Sequence, residues 1–347
     1  MITKKQKFSV VYFLSRAVFL GIGYSLMFDI AGKDAWISII LGTLLGLLIV
    51  YPISKILKYK KDKSLKELLN EMKPLGAIIK FIYFLFLIFL LYECIVIMQT
   101  MTTSFFLVNS PSLFIGLSGA VLAILTIKEN DTTLFKVAET LIIIGIFTAL
   151  ITFLLLIPYG EIDAFLPIMT TNTKDIIIAA LYFTTISTGP LLLSLDFKDD
   201  GKTIIKSYLF SALMLLIICI LITSVLGPVL IKIYRFPEYM VLKRIKFMKF
   251  IEKIENIISI IWILDAFMIL ASTTQTLKNL LPKKNAKLIS SIILIIITFI
   301  TGIVFGGNYT LILVTYHLVP ILLGIFIILI LLPIYIYYLK NKKKKGH

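Results

Sequence analysis

Cysteine, histidine and charged residues are all scarce in this sequence of 347 residues. It has 2 cysteines and 2 histidines, and only 16% of its residues are charged. Cys94 and Cys219 both lie within apolar runs, where neither is placed for an extracellular disulfide or a metal site. No phosphate-binding glycine loop and no nucleophile motif accompanies them. We therefore expect a protein that is not an enzyme and that carries no metal or other cofactor.

Apolar residues make up most of the chain instead. Hydrophobic residues account for 59% of it, and the mean hydropathy is +1.01. Soluble domains are excluded by this balance, because about 25% of their residues are charged. Several runs reach the ~20 residues that cross a ~30 Å hydrocarbon core. The composition indicates an all-α, multi-pass integral membrane protein.

The hydrophobic runs predict ten spans, of which the fourth and ninth are short. The formal net charge is +16, and most lysines lie between the runs or at the chain ends. We expect them to contact anionic lipid headgroups rather than nucleic acid. Cytoplasmic N- and C-termini satisfy the positive-inside rule best. The spans are 8–28, 35–57, 75–103, 112–127, 134–157, 175–195, 204–231, 257–280, 288–305 and 309–338.

The connection at about 232–256 departs from the positive-inside rule, because it is basic and falls on the extracytoplasmic side. Met240, Ile245, Met248 and Ile251 recur near helical spacing with basic residues between them. This pattern is typical of an amphipathic helix at the membrane surface. The alternative is an error in the number of spans nearby.

Two segments are poor membrane helices. The first span contains "GIG" at 21–23, and the sixth contains Gly189–Pro190 after a run of hydroxyl residues. Glycine costs about 1 kcal/mol in a helix, and proline removes a backbone donor. In an inverted repeat of about 8–157 and 175–338, these segments occupy corresponding positions. Close helix packing is one explanation; unwound backbone facing a ligand at the midplane is the other, which the symmetry favours.

Ionisable residues inside spans are candidate functional groups, because burying them is costly. Glu93 in the third span either lines a ligand or ion path or pairs with Arg16 or a tyrosine. Asp265 in the eighth span is a pathway candidate or a cap of surface structure. Arg16 either extends to the cytoplasmic interface or closes an inner gate by pairing, with Glu139 as one partner. His317 is either a packing residue or a proton relay, and packing is favoured.

Three stretches resemble the spore germination permease family. They are "GKDAWISIILGTLLGLLIVYPISK" (32–55), "KVAETLIIIG" (136–145), and "GPVLIKIYRFPEYMVLKRIKFMKFIEKIENIISIIWIL" (227–264). This family comprises the B subunits of GerA-type nutrient germinant receptors, within the amino acid–polyamine–organocation superfamily. The resemblance implies a ten-helix fold of 5+5 inverted repeats in which helices 1 and 6 are broken.

The resemblance also implies a function and a site. The protein would bind a small germinant, often an amino acid, in the spore inner membrane or another bacterial cell membrane. Its partners would be an A-type membrane subunit and a C-type lipoprotein. Together with the polar residues above, it predicts these ligand-binding residues: Gly21, Gly23, Tyr24, Tyr92, Glu93, Val96, Gln99, Thr185, Ser187, Thr188, Gly189, Asp265, Met268 and Ser272.

Two other functions stay open from the sequence. One is a secondary amino acid transporter coupled to protons, through Glu93, or to sodium. Ser272 and Thr273 would then act as a sodium-binding hydroxyl pair, although bonding back to their own helix is the simpler interpretation. The other function is a component of an ion-conducting channel formed with partner subunits.

Overall fold

The protein is helical over the residues that the computed structural model describes, 2–60, 63–107, 110–128, 131–198, 201–245, 254–304 and 309–345. Its first half comprises α1 Lys4–Val18, α2 Tyr24–Ala31, α3 Ala35–Lys60, α4 Leu65–Glu71, α5 Pro74–Phe105, α6 Ser112–Lys128 and α7 Asp131–Leu156. Its second half comprises α8 Thr173–Thr188, α9 Lys202–Ile233, α10 Pro237–Leu242, α11 Ile254–Leu280, α12 Ala286–Val304 and α13 Tyr309–Lys345.

Local sequence signals explain where the polar helix ends lie. At the start of α1, Thr3 and Gln6 form a capping box, in which each side chain accepts a hydrogen bond from the other residue's backbone N–H. Ser64 and Glu67 do the same at the start of α4. The backbone N–H of Ser64 donates to the Glu67 carboxylate, and this bond lowers the pKa of Glu67. Capping of this kind satisfies amide donors that a helix start leaves unpaired.

Eight helical stretches among the described residues are long and apolar enough to cross a membrane. The first, Lys4–Lys60, contains two of the ten predicted spans, separated at Gly32, whose φ of 51° favours glycine. Helix α6 has 17 residues and corresponds to the short fourth span. The all-α integral membrane architecture is thus confirmed, while the division into two inverted repeats stays a prediction.

The interior of the bundle forms where α3 packs against α8, α5 against α11, and α1 against α9. Glycine lets α3 approach its neighbours closely. A Cβ added at Gly42 would lie 2.6 Å from the Ala180 carbonyl oxygen, and one added at Gly46 would collide with the Tyr208 hydroxyl. Small residues serve this purpose in membrane helices, where close packing replaces the hydrophobic driving force. Outward apolar residues such as Phe147 stay exposed, as a lipid-facing surface requires.

Both predicted helix breaks coincide with a change of helix type. In the first span, Phe19–Gly23 forms a π-helix between α1 and α2. In the sixth, α8 ends at Thr188 and continues as the 3-10 helix Gly189–Asp196. The backbone stays helical, with φ −65° and ψ −45° at Gly23. The backbone at Gly23 is therefore not unwound as predicted. Only its hydrogen-bond pattern changes, because a π turn absorbs an extra residue without opening the chain.

The predicted surface helix between the seventh and eighth spans is described up to residue 245. Helix α9 bends at Gly227, where φ is 72°, and the short helix α10 then packs against α9 and α11. Glu238 and Tyr239 of α10 are buried. Protein therefore covers this part of the connection. Met248 and Ile251 of the predicted amphipathic pattern lie outside the described residues.

Candidate functional site

A buried ion pair joins the first predicted span to the eighth. Nη2 of Arg16 in α1 lies 2.8 Å from Oδ2 of Asp265 in α11, and the two side chains are 5% and 0% exposed. Nη1 of Arg16 also donates a hydrogen bond to the Tyr12 hydroxyl. The guanidinium carbon lies 4.8 Å from the centre of the Tyr12 ring. One turn of α1 thus presents a cation to Asp265 and a phenol to that cation.

This ion pair answers questions that the sequence left open. Arg16 points into the bundle rather than to the membrane interface, and Asp265 is its partner rather than Glu139 or Glu93. Removing one member of a buried pair typically costs about 3–5 kcal/mol, because the other charge is left alone. The contact therefore holds α1 against α11 as well as neutralising two charges.

Glu93 in α5 is a buried acid of a different kind. Its side chain is 1% exposed, and neither carboxyl oxygen has a hydrogen-bond partner among the residues that the structure describes. A lone charge inside a membrane costs about 2.5 kcal/mol or more, so such a group calls for a proton, a cation or a ligand. Gln99, further along α5, is also buried, and its Nε2 has no described partner. Helix α5 therefore carries two polar groups that a ligand can use.

A guanidinium lies in the same region as Glu93. The guanidinium carbon of Arg235 is 4.9 Å from the ring centre of Tyr316 in α13, and 5.3 Å from that of Phe236. Tyr316 is buried, and its helix α13 packs against α5, which carries Glu93. The interior thus holds an acid on α5 and a cation beside α13. Two groups of opposite charge suit a zwitterion, whose ammonium and carboxylate need different partners.

The helices that carry the predicted ligand-binding residues do meet. The π-helix contacts α5 and α8, and α11 packs along α5. Gly21 lies against α5 so closely that an added Cβ would be 2.6 Å from Cγ2 of Ile97. The first, third, sixth and eighth spans therefore share one interior. The predicted residues that are buried there include Gly21, Glu93, Val96, Ser187, Asp265, Met268 and Ser272.

Several other predicted residues face different helices. The Tyr24 hydroxyl donates to the backbone carbonyl of Leu215 in α9, at 2.7 Å. Gly189 and Thr185 both face α13, where they contact Leu323 and Gly324 respectively. Gln99 packs against α6, and Tyr92 is half-buried. The space beside Gly23 is filled by the ring of Phe19. These glycines therefore serve close packing in this structure.

The predicted hydroxyl groups bond mainly within their own helices. Ser272 and Thr273 donate to the carbonyl oxygens four residues earlier, at 2.7 and 2.8 Å. Thr188 donates to the Thr184 carbonyl oxygen at 2.6 Å, and Ser187 lies 3.4 Å from the same atom. The bonds of Ser272 and Thr273 therefore match the simpler interpretation of this pair, in which each hydroxyl bonds back to its own helix.

Sequence reasoning missed Tyr12, Arg235 and Glu238 as interior polar residues. Tyr12 lies one helical turn before Arg16, a spacing that brings side chains together on one face. Glu238 follows a proline in a connection whose sequence pattern predicts a surface helix, yet its side chain is 2% exposed. Burial raises the pKa of the Glu238 carboxyl well above its ordinary value. Tyrosine before arginine at helical spacing was the one usable signal.

Comparison with known proteins identifies the family. Residues 2–309 match the family model described as "Spore germination protein". The chain belongs to the spore germination protein family. A curated relative from Bacillus subtilis (strain 168), named "Putative spore germination protein YfkT", is 25% identical to this member over 238 residues. The aligned region covers 64% of this chain and 63% of that relative.

Family membership and fold together define the coarse function. The match extends from α1 to the first residue of α13, so it covers the helices before α13 but not Tyr316. This family member is therefore an integral membrane protein related to spore germination, and the resemblance read from its sequence motifs is confirmed. Its charged interior residues lie within the matched region.

Proposed function

We propose that this protein is the membrane subunit of a nutrient germinant receptor and that it binds an amino acid-like germinant in its interior. It would lie in the spore inner membrane with cytoplasmic termini, and it would signal through an A-type membrane subunit and a C-type lipoprotein. The observation that carries the proposal is Glu93, a buried acid without a hydrogen-bond partner in the described structure. A germinant's ammonium group supplies the missing partner.

The surroundings of Glu93 support this ligand class. An ammonium group donates to a carboxylate in a strong, charge-assisted hydrogen bond. The Arg235 guanidinium near Tyr316 offers the opposite charge for a carboxylate. The interior walls are mainly apolar, with Val96 and Met268 buried on the flanking helices. We therefore favour an amino acid with a small apolar side chain, such as alanine.

Germination assays on spores of the strain that carries this gene test the proposal. Deleting the gene should abolish the response to at least one amino acid germinant, and the intact gene should restore it. Glu93→Gln should weaken the response about tenfold or more in germinant concentration, because a hydrogen bond to a charged group is lost. Glu71→Gln, on the exposed surface of α4, is the matched control. A deletion strain that still responds to every germinant would refute the proposal.

Glu93 also favours a second function, proton-coupled amino acid transport. A buried membrane acid can alternate between a proton and a substrate ammonium group. Uptake of radiolabelled amino acids into proteoliposomes, with and without a proton gradient, separates the two functions. Gradient-dependent uptake that Glu93→Gln abolishes would establish a transporter. Binding without uptake would favour the receptor.

A further inference from the structure

A cavity of about 360 Å³ lies between α7, α9, α10 and α11, beside Arg16 of α1. None of the fourteen residues predicted above lines it. Its walls are almost wholly apolar, with side chains such as Leu150, Ile218 and Trp262. Its volume is within the roughly 300–1,000 Å³ range of small-molecule sites, which are mostly apolar and hold a few placed polar groups.

Two charged side chains line this cavity. Glu238 lines it from α10, is 2% exposed, and leaves Oε2 without a hydrogen-bond partner among the described residues. Arg16 lines it from α1, and its Nε likewise has no partner in the described part of the chain. Nearly all buried polar atoms in proteins are hydrogen-bonded. Two such atoms without partners, Oε2 of Glu238 and Nε of Arg16, therefore point to a ligand in the cavity.

The cavity opens sideways toward the membrane. Leu150 on α7 is 55% exposed, and Ile218 on α9 is half-buried, although both belong to membrane-spanning helices. The rim of the cavity therefore faces lipid rather than water. A molecule that enters here must first dissolve in the bilayer, which selects a largely apolar compound.

We propose that this cleft binds a small amphipathic molecule from the bilayer, which lies with its apolar part between α7 and α9 and donates a hydrogen bond from its polar end to Glu238. A primary amine and an alcohol both provide such a donor. An alcohol can also accept a hydrogen bond from Arg16. The occupant contacts the same arginine that ties α1 to α11, so the site is coupled by contact to the Arg16–Asp265 pair.

Photolabelling of the purified full-length protein in lipid nanodiscs tests this proposal. Three diazirine probes of equal chain length are compared: an aliphatic amine, the matching alcohol, and the matching hydrocarbon without a polar end. Mass spectrometry of the labelled peptides locates the adducts. We expect the amine, the alcohol or both to label the cleft walls of α7 and α9 saturably, and the hydrocarbon to label lipid-facing surfaces without saturation.

Variants separate the cleft from the general lipid surface. Glu238→Leu removes the acceptor and should raise the concentration for half-maximal labelling about tenfold or more. Glu238→Gln should have this effect on the amine and a smaller effect on the alcohol, because the amide stays a neutral acceptor. Ala149→Trp fills the cleft and should abolish saturable labelling. Phe147→Trp, on the exposed face of the same helix, should leave it unchanged.

The proposal fails if the hydrocarbon labels the cleft as saturably as the polar probes, or if Glu238→Leu leaves the labelling unchanged. Ile218→Trp, from the opposite wall, replaces Ala149→Trp if that variant is not monodisperse on gel filtration. Neither outcome depends on the germinant, because Glu93 does not line this cavity. A protein that fails every germination test can therefore still show this site.

Discussion

At the scale of single residues, the main feature of this molecule is the set of ionisable side chains buried in its interior. Two of its interior acids, Glu93 and Glu238, keep carboxyl oxygens without partners among the described residues, while Asp265 is paired with Arg16. Replacing buried charged groups with apolar residues is often neutral or stabilising. Stability alone therefore does not explain why these acids are present. Their presence is therefore best understood through what they bind. The paired acid and the two acids with unpartnered oxygens lead to different predictions.

For the paired acid, we expect Arg16→Leu alone or Asp265→Leu alone to lower thermal stability strongly, by about 3–5 kcal/mol. The double variant Arg16→Leu/Asp265→Leu should recover much of this loss, because neither charge is then left alone. The temperature midpoint of aggregation in detergent measures the effect. Glu71→Gln breaks the exposed Lys63–Glu71 pair and should cost at most about 1 kcal/mol. Additive losses in the double variant would contradict the pairing.

For Glu238, the raised pKa makes a prediction about pH. The folded protein holds this proton more tightly than the unfolded chain, whose glutamate pKa is about 4.3. The contribution to stability is therefore present at low pH and is lost as pH rises above that value. Glu238→Gln should match the wild type near pH 4 and exceed its thermal midpoint increasingly toward pH 8. Glu161→Gln, at an exposed position, is the control substitution. A pH-independent gain at Glu238 would count against the assignment.

At the scale of helices, the π-helix depends on packing rather than on an open chain. Phe19 is fully buried and lies edge-on to Tyr24 and Phe183, with ring centres 4.8 and 5.1 Å apart. Its ring occupies the space beside Gly23. Since those contacts hold the ring, it cannot easily move to admit a larger residue. The glycine is thus part of an aromatic cluster at the centre of the first span.

This cluster predicts opposite effects for two glycine substitutions. Gly23→Ala should destabilise the protein by about 1–3 kcal/mol, because its Cβ would overlap the Phe19 ring. Gly145→Ala in α7 should stabilise it by roughly 0.5–1 kcal/mol, because the nearest atom to the added Cβ is 3.9 Å away. Thermal midpoints of the two purified variants provide the comparison. Equal gains in both would show that the first span has room that the structure does not show.

The sequence predicts some features of the helices and not others. Spans and the positions of the two irregular segments were predictable, because hydrophobic length and the effects of glycine and proline are local properties. The form of the change at Gly23 was not, since it depends on where the Phe19 ring packs. Asp265 as the partner of Arg16 was not predictable either, because it requires knowing which distant helices meet. Glu238 was missed because basic residues around it suggested a surface helix.

At the scale of the whole molecule, one carboxylate ties the two halves of the chain together. Asp34, between α2 and α3, is fully buried and accepts hydrogen bonds from the backbone N–H groups of Met169 and Thr171, both at 3.0 Å. The Thr171 hydroxyl donates to the Ala31 carbonyl oxygen at 2.9 Å. The connection between α7 and α8 is therefore fastened to the junction of the first two predicted spans.

We expect Asp34→Ala to free this connection, because two backbone donors lose a charged acceptor. Limited proteolysis should then cut the segment 160–172 at least several-fold faster than in the wild type. Asp163→Ala, an exposed acid in the same connection, is the control and should cleave at the wild-type rate. Unchanged proteolysis of Asp34→Ala would mean that other contacts hold the segment.

The Arg16–Asp265 pair has a consequence for biosynthesis. Ribosomes add roughly 5–20 residues per second, so the arginine in the first helix is made tens of seconds before its aspartate. During that interval the nascent chain must keep a cation in or near the bilayer without the partner seen in the finished protein. The first helix is therefore made before the partner of its arginine exists. The order of translation therefore determines when the Arg16–Asp265 pair can form and join α1 to α11.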